Sequence, residues 1–129
     1  SRSKGIKVYG YDLDSPSLKL ALKEKIIDES IKNFDEVNNK KFGEKVDLII
    51  VSVPPRKTQE VFKQLQEIWN TSITITDTSS VKNHLKLDGA VYIVLSHPIA
   101  GSHKSGALAA NKDLFFNKKI KLRVVCPAP

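Results

Sequence analysis

At 129 residues, 40% of them apolar and 27% charged, the chain suits one globular domain with a core of its own. No apolar run approaches the ~20 residues of a membrane span, and the lone Cys126 leaves neither an internal disulfide nor a cysteine zinc cluster, which fits a reducing, cytoplasmic setting. The formal charge of +7 suits polyanions, but the lysines scatter along the whole chain and the aromatics, at 7%, do not interleave with them; the expectation is a domain handling anionic metabolites, with no nucleic-acid or membrane partner.

Ser1–Gly5 leads directly into a short apolar run rather than a signal-peptide core. That run, Ile6–Tyr11 (IKVYGY), reads as the first strand. Ser15-Pro16-Ser17 then signals a helix start, with Ser15 as cap and Pro16 at the first helical position; the pattern continues through Leu18, Leu20, Ala21 and Leu22 to about Lys25. Asn33–Lys45 is polar and reads as a loop or poor helix. Val46–Val53 (VDLIIVSV) is nearly continuous aliphatic sequence, as strands covered on both faces are. Thr58–Trp69 places Val61, Phe62, Leu65, Ile68 and Trp69 on one helical face. Ile73–Thr76 (ITIT) and Ala90–Leu95 (AVYIVL) read as strands, Gly106–Leu114 as a short helix, and Ile120–Cys126 (IKLRVVC) as a closing strand.

Strand alternating with helix predicts an α/β fold built on a parallel sheet with flanking helices and right-handed crossovers. In such sheets ligands bind beyond the carboxyl ends of the strands. Those ends carry Asp12-Leu13-Asp14, Pro54-Pro55-Arg56, Asp77-Thr78-Ser79-Ser80 and Ser96-His97-Pro98, all polar or proline-fixed, and all expected along one edge.

Each has two readings. Asp12 is placed either to accept hydrogen bonds from an adenosine ribose or to shape a turn; with no arginine beside it to meet a 2′-phosphate, NAD is favoured over NADP. Val53-Pro54-Pro55 has few free backbone donors and fixed φ angles, so it forms a rigid wall beside a flat cofactor or a plain strand-to-helix turn. Ser79 and Ser80 either donate to a substrate oxygen or cap a helix. His97 follows a buried-type strand and precedes Pro98, which biases it to an extended backbone; an imidazole held so can take a proton near neutral pH, or can simply end a strand. The Gly101–Gly106 loop, with Lys104, suits a carboxylate or forms a solvated turn. His84, His97 and His103 have no carboxylate pair at ligand spacing, so no metal site is expected. The G-x-S-x-G elbow of a hydrolase is absent.

Three blocks, "DLIIVSVPPRKTQEVF", "ITDTSSVKN" and "LSHPIAGSHKSGALAANKDLF", in this order and spacing, resemble the prephenate dehydrogenases of tyrosine biosynthesis, and "VYGYDLD" is similar to that family's second strand with its ribose-binding acid. The resemblance covers nearly the whole chain, and the HPIAG-S-x-K-SG block is its most specific part. It implies a Rossmann-type domain and NAD-dependent oxidative decarboxylation of prephenate, or of arogenate, to the aromatic product. It implies that His97 takes the proton of the substrate's ring hydroxyl and that Ser80 bonds the same region and orients His97. Asp12 would bind the adenosine ribose, while Val53, Pro54 and Thr58 border the cofactor. Gly101, Ser102 and His103 would meet the substrate, although many members carry Glu where this chain has His103.

Against the family pattern, residues 1–129 read as a partial NAD-binding domain. The first strand and its glycine-rich turn are not seen before Ser1, nor the helical dimerisation domain after Pro129. In the usual strand order the absent strand is central, so the expectation is that this polypeptide alone binds NAD weakly and does not turn over, while the parent is a homodimer. Two other readings stay open: a different NAD(P)-dependent dehydrogenase of a small acid, and a non-enzymatic basic module for nucleotides.

Overall fold

The computed structural model describes residues 5–37, 46–68, 73–80, 92–100 and 107–125. The chain divides into two compact units, one formed by Ser1–Val37 with Ser102–Lys112 and the other by Asn38–Gly101 with Asp113–Pro129.

The first unit is a small β-α-β element. Strand β1 (Tyr9–Gly10) pairs in parallel with β2 (Glu29–Ser30), and helix α1 (Ser15–Lys23) connects them. The strand expected over Ile6–Tyr11 is ladder-paired only at Tyr9 and Gly10, because β2 offers two residues and no more. Gly10 has no room for a side chain: an added Cβ would lie 2.7 Å from Ile27 Cδ1 and 3.0 Å from its Cγ2.

Helix α1 corrects the expected cap. The N-cap is Asp14, whose Oδ2 accepts the Ser17 N–H, so Ser15 and Pro16 already lie within the helix. A carboxylate caps as well as a hydroxyl and adds a favourable charge at the dipole's positive end. The helix stops at Lys23 rather than Lys25. Lys25 turns left-handed (φ 55), with Ile26 N–H donating to Ala21 O at 2.8 Å and Lys25 N–H to Leu22 O at 3.1 Å. That pair of bonds is a Schellman closure. A single helical turn, α2 (Phe34–Val37), forms where a loop or poor helix is expected, and Phe34 meets Tyr11 edge-on with ring centroids 5.3 Å apart. The expected helix Gly106–Leu114 reduces to a 3-10 turn over Ala107–Ala109. Asn111 and Asp113, whose side chains compete for backbone groups, follow within four residues.

The second unit is a four-stranded sheet in the order β3-β4-β5-β6: β3 (Leu48–Val51), β4 (Thr74–Asp77), β5 (Tyr92–Pro98) and β6 (Ile120–Val125). The first three are parallel, as expected, and β6 is antiparallel to β5. Helix α3 (Pro55–Ile68) joins β3 to β4. It starts at Pro55 rather than Thr58, since proline is preset for a first helical position.

Register assigns the faces. The rows Ile49–Ile75–Ile93 and Val51–Asp77–Leu95 share one side of the sheet. Val51, Ile75, Ile93 and Leu95 are buried there, and on α3 so are Thr58, Phe62 and Leu65, spaced as one helical stripe. These residues form the core of the unit, each large aliphatic or aromatic side chain contributing about 1.5–3 kcal/mol. Leu48 and Ile50, one residue out of phase, are exposed.

Candidate active site

The row Val51–Asp77–Leu95 aligns the carboxyl ends of β3, β4 and β5, so the segments that follow them emerge along one edge. The tips are stitched together. Thr78 N–H donates to Val51 O at 3.1 Å, and the Thr78 hydroxyl donates to Ser52 Oγ at 3.2 Å. Asp77 Oδ1 accepts the Ser96 N–H at 3.3 Å, and the Ser96 hydroxyl donates to the Asp77 carbonyl. Val53 and Pro54 follow the β3 end of that row, Ser80 follows its β4 end and His97 its β5 end.

His97 does not lie beyond the strand end expected at Leu95. Strand β5 runs on through Pro98, because β6 returns antiparallel alongside it, with Ser96 opposite Leu122, His97 opposite Lys121 and Pro98 opposite Ile120. Ile99 N–H donates to Lys119 O at 2.7 Å and extends the clasp by one more residue. The imidazole is half-buried on a backbone pinned from the β6 side. Ser80 is exposed, whereas Ser79 beside it is buried and donates its hydroxyl to Asp77 Oδ2 at 2.6 Å. Of the two serines expected to act or cap, Ser79 is therefore committed inward and Ser80 is presented outward.

Val53 is half-buried and Pro54 exposed at the β3 tip. Thr58, one turn into α3, is 1% exposed, and its Oγ1 has no hydrogen-bond partner among the described residues. Buried hydroxyls are nearly always satisfied, so this one marks a place where a polar group is due.

Asp12 follows β1 in the first unit. Its Oδ1 accepts the Asp14 N–H at 2.8 Å, which makes it the turn aspartate of one of its two readings, while Oδ2 has no partner among the described residues. Asp12 also lines a cleft of about 380 Å³ with Tyr11, Ser15, Lys19, Ser30 and Lys32. Gly101, Ser102 and His103 lie outside the described residues. No cluster of potential metal ligands occurs among the described residues, and no described helix is long and apolar enough to cross a membrane.

Sequence reading left two participants without a role. Asp77 and Ser96 are buried polar residues at adjacent strand ends; the available signal was an acid placed directly after the alternating ITIT strand.

Parallel strands with aligned polar tips, a helix between them, and an acid after a glycine-ended strand define a Rossmann-like nucleotide-binding domain. A family model described as "Prephenate dehydrogenase, nucleotide-binding domain" matches residues 1–128, and the chain belongs to that family. Among curated proteins, it is 38% identical over 85 residues to prephenate dehydrogenase of Lactococcus lactis subsp. cremoris (strain MG1363), covering 60% of this chain and 24% of that protein. It is 29% identical over 120 residues to prephenate dehydrogenase of Bacillus subtilis (strain 168), covering 88% and 31%. The chain thus spans about a quarter of the first relative and just under a third of the second. Among solved structures, prephenate dehydrogenase from A. aeolicus in complex with hydroxyphenyl propionate and NAD+ superposes with a TM-score of 0.76 at 34% identity, over 90% of this chain and 41% of that one. Synechocystis arogenate dehydrogenase shares the fold, with a TM-score of 0.79 at 19% identity over 95% and 43%.

Proposed function

We propose that the chain is the NAD-binding part of a dehydrogenase that oxidatively decarboxylates prephenate, or arogenate, in tyrosine biosynthesis. The observation that carries this reading is the seating of His97 on β5, pinned by β6 two residues past the row that ends the ladder with β4, the strand that Ser80 follows. The family membership supports it, as does the A. aeolicus relative, whose crystal structure is a complex with hydroxyphenyl propionate and NAD+.

NAD, when bound, accepts the hydride that leaves the substrate's ring carbon. His97 takes the proton from the hydroxyl on that carbon as the hydride departs, and returns it to the oxygen once loss of CO2 delivers an electron pair into the ring. The product from prephenate is 4-hydroxyphenylpyruvate. Ser80 bonds the same hydroxyl region and keeps the imidazole in line. Asp12 holds the adenosine ribose through the carboxylate oxygen not used in its turn. Val53 and Pro54 border the cofactor, and the unsatisfied Thr58 hydroxyl fits a polar group at that border. Gly101, Ser102 and His103 are read as the substrate side of the site. The protein's part is position and a base; the redox capacity is the cofactor's. The whole protein is read as a cytoplasmic homodimer.

The test is prephenate-dependent NADH formation by the full gene product, with arogenate compared. Replacing His97 with Asn should lower kcat by about 10²–10⁴-fold, the usual contribution of a positioned base, with NAD affinity little changed. A rate within a few-fold of wild type removes His97 from this role.

A further inference from the structure

The carboxylate of Asp77 has no part in the chemistry just described, yet it is fully buried at the end of β4. Burying a carboxylate is costly unless donors surround it. Oδ2 accepts the Ser79 hydroxyl at 2.6 Å and the Ser79 N–H at 3.3 Å. Oδ1 accepts the Ser96 N–H at 3.3 Å, and the Ser96 hydroxyl donates back to the Asp77 carbonyl. Ser79 and Ser96 are 8% and 7% exposed, so water competes little for these bonds.

The placement of the two donors matters more than their number. Ser79 immediately precedes Ser80, and Ser96 immediately precedes His97. The β4–β5 ladder ends at Asp77 opposite Leu95, so beyond that row no strand pairing relates Ser80 to His97. Strand β6 pins His97 alone. The Asp77 side chain takes over where the ladder stops, holding the backbone one residue before each group.

We propose that Asp77 is a positioning residue: its carboxylate fixes the Ser80 hydroxyl and the His97 imidazole relative to each other, as a pair, for the substrate's ring hydroxyl. The proposal rests on the roles given above to Ser80 and His97. A base works only within hydrogen-bond reach of its proton, and a misplacement of about 1 Å can cost ~100-fold in rate.

The test uses the full gene product. Asp77→Asn keeps the shape but turns an amide NH2 toward backbone donors. Its kcat on prephenate should fall roughly 10–100-fold, while the KM for prephenate and the Kd for NAD stay within about threefold. Ser79→Ala removes the 2.6 Å hydroxyl bond and should lower kcat about 3–10-fold, and Ser79→Thr, which keeps the hydroxyl, should recover most of that loss. If Asp77→Asn does not fold, the Ser79 pair decides: equal rates for the Ala and Thr variants overturn the proposal. An NMR arm needs no substrate. The Ser80 amide and the His97 amide and imidazole signals should shift together in Asp77→Asn or Ser79→Ala; if the His97 signals stay in place, the proposal is overturned whatever the rates. A wild-type protein that oxidises neither prephenate nor arogenate sinks the functional reading instead, and the NMR arm then decides by itself whether Asp77 couples the two positions.

Discussion

Asp12 Oδ1 accepts the backbone N–H of Asp14 at 2.8 Å, and Asp14 in turn caps α1 through its own carboxylate. The acid read as a ribose ligand is therefore also the first link of a turn that delivers the helix. One oxygen serves the fold, and the other has no partner among the described residues. The two roles separate by substitution. Asp12→Asn keeps an oxygen for the Asp14 N–H but loses the charge; Asp12→Ala loses both. In the full gene product, Asn should leave the melting temperature within about 2 °C of wild type and weaken NAD binding by roughly tenfold or more, the worth of a charged hydrogen bond. Ala should do both kinds of damage. Calorimetric titration with NAD checks this, and an unchanged Kd for Asn would remove Asp12 from the cofactor site.

The two ends of α1 should respond in opposite directions. Removing the cap with Asp14→Ala leaves the Ser17 N–H without its acceptor and should cost about 1 kcal/mol. At the other end Lys25 holds a left-handed backbone, φ 55, that costs an L-residue roughly 1–2 kcal/mol. Glycine adopts it freely, and its greater freedom in the unfolded chain returns only part of that gain. Lys25→Gly should therefore stabilise the protein slightly. Urea melts of the two variants check the signs; a destabilised Lys25→Gly would mean that the Lys25 side chain does more than close the helix.

The ion pair across the small β-α-β element should be nearly silent at neutral pH. Lys7 bonds Glu29, and its ammonium lies 5.1 Å from the centre of the Tyr9 ring. The Glu29 hydrogen bond first, then that to Tyr9, raises the Lys7 pKa above the ordinary lysine value. A raised lysine pKa means that any stabilisation is complete below the unfolded-state value and is lost as pH climbs through the folded-state one. Nothing should change across the neutral range. Both side chains are more than half exposed, at 53% and 56%, so solvent screens the pair. Glu29→Gln should show a small melting difference at neutral pH that shrinks toward zero as the pH climbs past the ordinary lysine value. A difference that grows with alkali would contradict the sign.

How much was legible in the sequence depends on how local the cause is. The apolar runs around Ile49, Ile75 and Ile93 showed the strands, and the spacing of Phe62 and Leu65 showed the helix face, because burial imprints a period on the chain. The alignment of the β4 and β5 ends followed from parallel topology. What escaped depends on partners distant in sequence. His97 lies within β5 because β6 returns beside it, and no pattern near residue 97 says so. Asp77 looks like a turn residue until its carboxylate is seen to reach Ser96 on the neighbouring strand. The cap of α1 moved by one residue because Asp14 and Ser15 are nearly equal candidates for it.

One face of the larger sheet makes the last prediction. Leu48 and Ile50 on β3 are 50% and 59% exposed, and Ile120 and Leu122, on the same face by register, are 53% and 66% exposed. Strand β3 is also terminal in its sheet, so its outer edge is unpaired among the described residues. Parallel sheets are ordinarily covered on both faces, and a bare aliphatic edge strand invites pairing with another chain. The 129-residue polypeptide made alone should self-associate as its concentration rises. Ile50→Lys places a charge on the exposed side of that terminal strand and should reduce the association seen by light scattering while leaving the far-UV circular dichroism unchanged. A wild-type chain that stays monomeric at high concentration would show that this surface tolerates water, and the lysine would then bring no gain.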